Sequence, residues 1–416
     1  MRMRVVPLLA SLVLVAGGAP VSAAPVPGAP ACPVFPRDNV WRADVSKLPV
    51  HPRSAAWLAS SSASTRRLHP DLGSSGDPAT PYGIPVHVVS SSHEKVPVEF
   101  EYADESDPGP YPLGDDTPIE GGSDRHTVVV DRDTCTLYET WATERTSSGW
   151  TAGSGAIWKL TSNAQRPDGW TSADAAGLPI LPGLLRIDEV RAGVVDHAIR
   201  FTVARTDRSY VWPARHQAGA ANDPNLPPMG ARFRLKASYD ISRFGADTRV
   251  VLTAMKKHGL MLADNGSDWY FTGAASNEWP DTFISEMKSV PAGAFEAVDA
   301  SSLMVSAGSM AAKGAPARRR TPRPGYVPYT PRPPAARTPA PSRPAPSRTT
   351  PPPPTTARTS PAEVATTAPG ATVSGRAHRR DTAGTDGTPW WPWLAGGAAG
   401  TALGLALLQA LRRRRA

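Results

Sequence analysis

Three histidines and a row of cations are the residues of this 416-residue chain whose types and spacing can do chemistry. His126 opens the apolar run to Val130, and period-two alternation puts it on the face of Val128 and Val130. His197 repeats the layout in DHAIRFTV, where it shares a face with Ile199, Phe201 and Val203. Histidines at the ends of apolar strand faces can line a cleft and act as bases near neutral pH, although satisfied core histidines give the same pattern. His216 closes YVWPARH, with Trp212 and Arg215 beside it as candidate ligand contacts. In residues 231–237, Arg232, Arg234 and Lys236 alternate with Phe233 and Leu235, so three cations share one strand face. A guanidinium row suits a carboxylate-bearing ligand, and a solvated outer face is the plainer reading.

Two reactions suit this inventory. A polysaccharide lyase would neutralise a uronate carboxylate with Arg232, Arg234 or Lys236 and use His126 or His197 as the base. A glycoside hydrolase needs two carboxylates about 5–10 Å apart, for which Glu189 and Asp196 are the candidates. Ser154, in AGSGA, lacks the G-x-S-x-G setting of a hydrolase nucleophile. Residues 104–122 carry Asp104, Glu105, Asp107, Asp115, Asp116 and Glu120 on a proline-stiffened loop. Such a loop could hold a hard cation such as calcium, but its spacing matches no metal loop and a solvated acidic loop is the simpler reading. There is no G-x-G-x-x-G, G-x-x-x-x-G-K-S/T, H-E-x-x-H or C-x-x-C, so no cofactor is expected and no metal ligand is assigned.

The elements that must position these residues are short. Residues 83–89 and 96–102 read as strands, residues 123–141 as a hairpin around Asp131-Arg132-Asp133-Thr134, and residues 260–263 and 269–271 as further strands. Residues 54–60 can form a short helix, and helical spacing marks residues 246–257, with Gly259 as its stop. Residues 169–183, with a Leu-Pro-Ile-Leu-Pro core, read as a buried connection. The expected class is mostly β, a sandwich or jelly roll of antiparallel sheets with a few short helices, and residues 24–313 form one domain.

Around that domain the chain reads as an exported, anchored protein. Residues 1–23 have the charged start, apolar run and small-residue end of a secretory signal peptide. Residues 314–389 contain 18 prolines among Thr, Ala, Ser and Arg and form a disordered stalk. Residues 390–411 form a transmembrane helix fronted by Trp390, Trp391 and Trp393, and the arginines of residues 412–416 place the C-terminus in the cytoplasm. Cell-wall or other extracellular polysaccharide is the expected partner beyond the membrane. The formal charge of +8 hides an asymmetry, because residues 24–313 hold 27 bases against 34 acids and the excess arginine lies in the stalk and tail. That removes the main argument for nucleic-acid binding. Cys32 and Cys135, an even pair in an exported region, are expected to form a disulfide.

CPVFPRDNVW, ESDPGPYP, SDRH, GWTSADAAGLPILPGLLRIDEV, DHAIRFTV, WPARH, LPPMGARFRLKAS and ADNGSDWY resemble, in that order, a group of secreted bacterial proteins. The resemblance spans most of residues 31–299 and implies an exported single-domain protein. It carries over no catalytic residue, substrate or cofactor. The leading expectation is a surface-anchored domain that binds or acts on extracellular polysaccharide, and the alternative is a non-catalytic adhesion or envelope-scaffold module.

Overall fold

The computed structural model describes residues 24–314. The expected leader, transmembrane helix and basic tail, and all but the first residue of the expected stalk, lie outside the described residues. No described helix is long and apolar enough to cross a membrane.

The described elements run α1 (Ser54–Ser60), β1 (His69–Asp71), β2 (Val86–Val89), β3 (Val98–Phe100), β4 (Thr127–Asp131), β5 (Thr136–Trp141), β6 (Glu144–Thr146), β7 (Gly149–Ala152) and β8 (Ser154–Lys159). They continue with α2 (Ile187–Ala192), β9 (Ile199–Val203), β10 (Arg232–Leu235), α3 (Ala246–Lys257), β11 (Leu260–Asn265), β12 (Tyr270–Thr272), α4 (Asp281–Met287) and β13 (Phe295–Val298). The domain is therefore mostly sheet with few helices. Its sheets are ordered β1-β12-β9-β11-β10-β13, β2-β4-β5-β8 and β3-β7-β6.

Pairing is not purely antiparallel, as the alternation pattern led us to expect. β1 with β12, β9 with β11, β2 with β4 and β3 with β7 run parallel. Alternation reports which face a residue occupies but not the direction of its neighbour. Parallel neighbours cannot be joined by a tight turn, so long connections must travel between them. The acidic loop at 104–122 lies on one such connection, between β2 and β4.

The six-stranded sheet carries the main aromatic core. Phe201 on β9 and Phe233 on β10 meet edge to face at 5.3 Å, and Trp269 contacts Phe201, Phe233 and Phe295 with ring centroids 5.5–5.7 Å apart. All four rings are fully buried, and the indole N–H donates to the Ser61 carbonyl at 2.9 Å, as a buried tryptophan requires. α3 contributes Val251, Leu252 and Met255 to the same core. The Cys32–Cys135 disulfide forms as expected, across a sequence separation of 103. Closing a loop of that length stabilises the fold by ~4–5 kcal/mol in the chain-entropy account. It ties the N-terminal segment to the turn between β4 and β5.

Candidate functional site

A buried polar cluster forms on one face of the six-stranded sheet. Its centre is Arg200 on β9, which donates from Nε to Asp174 Oδ2 at 2.9 Å, from Nη2 to Asp174 Oδ1, and from Nη1 to Thr272 Oγ1 at 2.7 Å. Asp264 Oδ2 lies 3.9 Å from Nη2. The register explains the assembly. Asp71 pairs with Thr272 across β1 and β12, and Tyr270 and Phe271 of β12 pair with Thr202 and Phe201 of β9. Asp71, Thr272 and Arg200 therefore form one row and His69, Tyr270 and Thr202 the next, all on one face.

Asp264 joins that face through a bulge. β11 slips by one residue between Leu262 and Asp264, so Asp264 rather than Ala263 stands opposite Thr202. An unbroken ladder would turn the Asp264 carboxyl towards the face of Phe201 and Val203.

Above the sheet sit His126 and Glu120. The imidazole Nδ1 bonds Glu120 Oε2, whose oxygen also accepts the His126 backbone N–H at 3.2 Å. Nε2 lies 3.1 Å from the Ala173 carbonyl. Both ring nitrogens face acceptors only, so both donate and the ring is an imidazolium. Burial opposes that charge, but the Glu120 carboxylate outweighs it and lifts the His126 pKa to about 9. Glu120 is in turn held below its ordinary value: burial raises it, and the His126 charge and hydrogen bonds prevail.

Two further carboxyls are pushed the other way. Burial, with Glu120 nearby, raises Asp71 to about 6. Burial and the Asp174 carboxylate hold Asp264 well above the ordinary carboxylate range despite Arg200. The Asp264 side chain is nonetheless 24% exposed, so solvent or a ligand reaches it. Beside these acids His69 stacks on Tyr270 with ring centroids 3.9 Å apart, and both residues are half-buried. The arrangement offers carboxyls held apart in protonation state next to a flat aromatic pair.

Asp174 is fixed by a connection clamped at both ends. Glu139 on β5 accepts the backbone N–H groups of Ile180 and Leu181 and the indole N–H of Trp158, at 2.9–3.1 Å. Glu105 accepts the Thr171 N–H at 3.0 Å. Arg166 donates to Asp107 Oδ2 and the carbonyls of Glu105 and Thr171 at 2.5–2.8 Å, and lies over the rings of Trp158 and Trp170. Gly183 allows the close approach of this connection to β9, since a Cβ there would stand 2.8 Å from the Trp41 ring and 3.0 Å from Arg200 Cβ.

Of the residues singled out in the sequence, His126 and the loop acid Glu120 are in the cluster. His197 belongs to a separate buried network, with Nδ1 at 2.7 Å from the Ala198 carbonyl and Nε2 at 3.1 Å from Glu189. Glu189 also meets Arg186 at 2.9 Å, and a small cavity lined by Trp41, Arg42, Glu189 and His197 lies beside it. Asp196 pairs with Arg42 at 3.1 Å, so Glu189 and Asp196 are each engaged by protein cations. His216 Nδ1 donates to the Ala175 carbonyl at 2.8 Å. Arg215 donates to the carbonyls of Arg166 and Ala307, and Trp212 Nε1 to Ser309.

The cation row is neither an open groove nor a solvated face. Arg232 is buried and donates to the carbonyls of His258 and Val40 at 2.6 and 2.8 Å. Arg234 bonds Glu296 and the carbonyls of Val45 and Leu48, and Lys236 donates to the Gly293 carbonyl. Arg232 and Arg234 stitch the N-terminal segment onto β10. The acids of residues 104–122 do not gather at one point: Asp107 meets Arg166, Asp115 meets Arg145 and Glu120 meets His126.

Sequence reasoning missed Arg200, Asp174, Asp264 and Asp71. An arginine in the middle of DHAIRFTV was the available signal, since a charge inside a buried strand needs buried partners. No family model matches the chain, and no curated protein or solved structure matches it.

Proposed function

We propose that this is a cell-surface domain that acts on extracellular polysaccharide, cleaving glycosidic bonds by acid and base catalysis at the Arg200 cluster. The observation that carries the reading is the placement of Asp71 and Asp264, re-aimed by the β11 bulge, on one sheet face with the stacked His69 and Tyr270 rings. These carboxyls stand three strands apart in the order β1-β12-β9-β11 and offer a protonated acid and an ionised base at separate points of that face. Asp264, held protonated, is the acid that supplies a proton to the leaving oxygen. Asp71, raised only to about 6, is ionised at neutral pH and serves as the base. Arg200 and His126 hold fixed positive charge beside them, and an aromatic face suits the apolar face of a sugar ring.

A hydrolase is favoured over a lyase because Arg232 and Arg234 are turned to the protein's own carbonyls, leaving them unavailable to a uronate. The test is release of reducing ends from a panel of neutral and acidic glycans by the full-length chain. Asp264→Asn is expected to lower the rate by about 10²–10⁴-fold. An unsaturated, ultraviolet-absorbing product would identify a lyase instead. Binding without turnover by wild type would support the adhesion module.

A further inference from the structure

A second constellation lies outside the Arg200 cluster. His87 is on β2, the edge strand of the four-stranded sheet, in register with Val129 of β4. His93 follows in the next turn, and Asp116 arrives from the proline-stiffened loop. His93 Nε2 lies 3.1 Å from Asp116 Oδ1, and His87 Nε2 lies 3.5 Å from Asp116 Oδ2. One ligand atom from each of the three residues falls within 4.8 Å of the others, and among the described residues this is the group of histidine, cysteine and acid side chains that could share an ion.

Three details point to a ligand. His87 Nε2 is a buried atom that makes no well-formed hydrogen bond and faces Asp116 at 3.5 Å. His93 Nδ1 lies 2.7 Å from the Glu94 carbonyl and donates to it, the outer hydrogen bond that orients a metal-binding imidazole to present Nε2. The spacing is close to that of a tetrahedral zinc site, whose donors ~2.0–2.1 Å from the ion stand about 3.3–3.4 Å apart, since the three ligand atoms lie within 4.8 Å of one another. Gly114 makes the approach possible: a Cβ there would stand 2.9 Å from Asp116 Oδ1 and 3.3 Å from His93 Nε2.

We propose that His87, His93 and Asp116 bind a divalent transition metal of the zinc class. Two imidazoles with one carboxylate select such an ion over calcium or magnesium, which prefer oxygen ligands. Three protein ligands leave a fourth position open, and the Asp116 side chain is 61% exposed, so that position faces solvent. The ion would tie the edge strand to the loop that, four residues later, delivers Glu120 to His126.

Zinc titrated calorimetrically into the chelator-treated full-length chain tests this. One equivalent is expected to bind to wild type, with affinity reduced at least about 100-fold in His87→Ala and in Asp116→Asn, and cobalt should give the visible absorption of a tetrahedral site. Asp116→Asn changes a largely solvated side chain, so its loss of binding with an unchanged metal-free melting temperature reports ligation rather than unfolding. No binding above background by wild type, or binding that survives both substitutions, would overturn the proposal.

Discussion

At the scale of single residues, His126 and Glu120 show how a buried charge is made tolerable. The imidazolium carries two acceptors and Glu120 accepts two N–H groups, so removing either partner strands the other. His126→Ala should cost about 3–5 kcal/mol, the usual result of leaving one member of a buried pair alone, and denaturant unfolding will measure it. The pH dependence follows from the two shifts. His126 is raised from 6.5 to about 9, so its contribution is whole below 6.5 and fades as pH climbs through 9. Glu120 is lowered from 4.5, so its contribution is whole above that value and fades as pH falls below it. The stability difference between wild type and His126→Gln should therefore be greatest between about pH 4.5 and 6.5 and shrink on either side. A difference that grows above pH 9 would contradict the pairing.

At the scale of elements, a helix stop and a disulfide govern how the strands meet. α3 ends at Lys257 with His258 as its cap, and Gly259 follows with φ +75°, where an added Cβ would stand 2.2 Å from the Phe233 carbonyl oxygen. Gly259→Ala combines that clash with a left-handed backbone and should destabilise by more than about 1–2 kcal/mol, read as a lower melting temperature. Replacing Cys32 and Cys135 by serine should cost about 2–5 kcal/mol by the same measurement. Much of this level is legible in the sequence. Helical spacing marks α3, because its apolar residues recur on one face, and the bounds of α1 and α3 match residues 54–60 and 246–257. The β4–β5 hairpin is legible from alternation around a polar turn. The pairing partners are not, since direction and register depend on contacts between distant segments. Asp264 shows the consequence: its face is set by a bulge at Ala263, and no local pattern in LMLADN announces one. His126 was visible as a histidine on an apolar face, whereas Arg200 gains meaning only when Asp174, Thr272 and Asp264 arrive from elsewhere in the chain.

At the scale of the whole molecule, the described domain is an acidic body in a chain whose excess arginine lies elsewhere, with an internal site in which burial and neighbouring acids raise Asp71 and Asp264 while the His126 charge lowers Glu120. Raised carboxyls lower the stability of the folded chain at neutral pH. A carboxyl raised in the folded state binds its proton more tightly there than in the unfolded chain, so folding loses stability as pH rises above the ordinary carboxylate value of ~4. An uncharged isostere escapes that cost, which separates a catalytic acid from a structural partner of Arg200. The most direct measurement is thus a paired one on wild type and Asp264→Asn, following melting temperature from pH 4 to 8 together with glycan cleavage at neutral pH. The account predicts equal melting near pH 4, a variant increasingly more stable than wild type as pH rises, and cleavage lost in the variant. A variant less stable than wild type at neutral pH, or one that cleaves as fast, would contradict it.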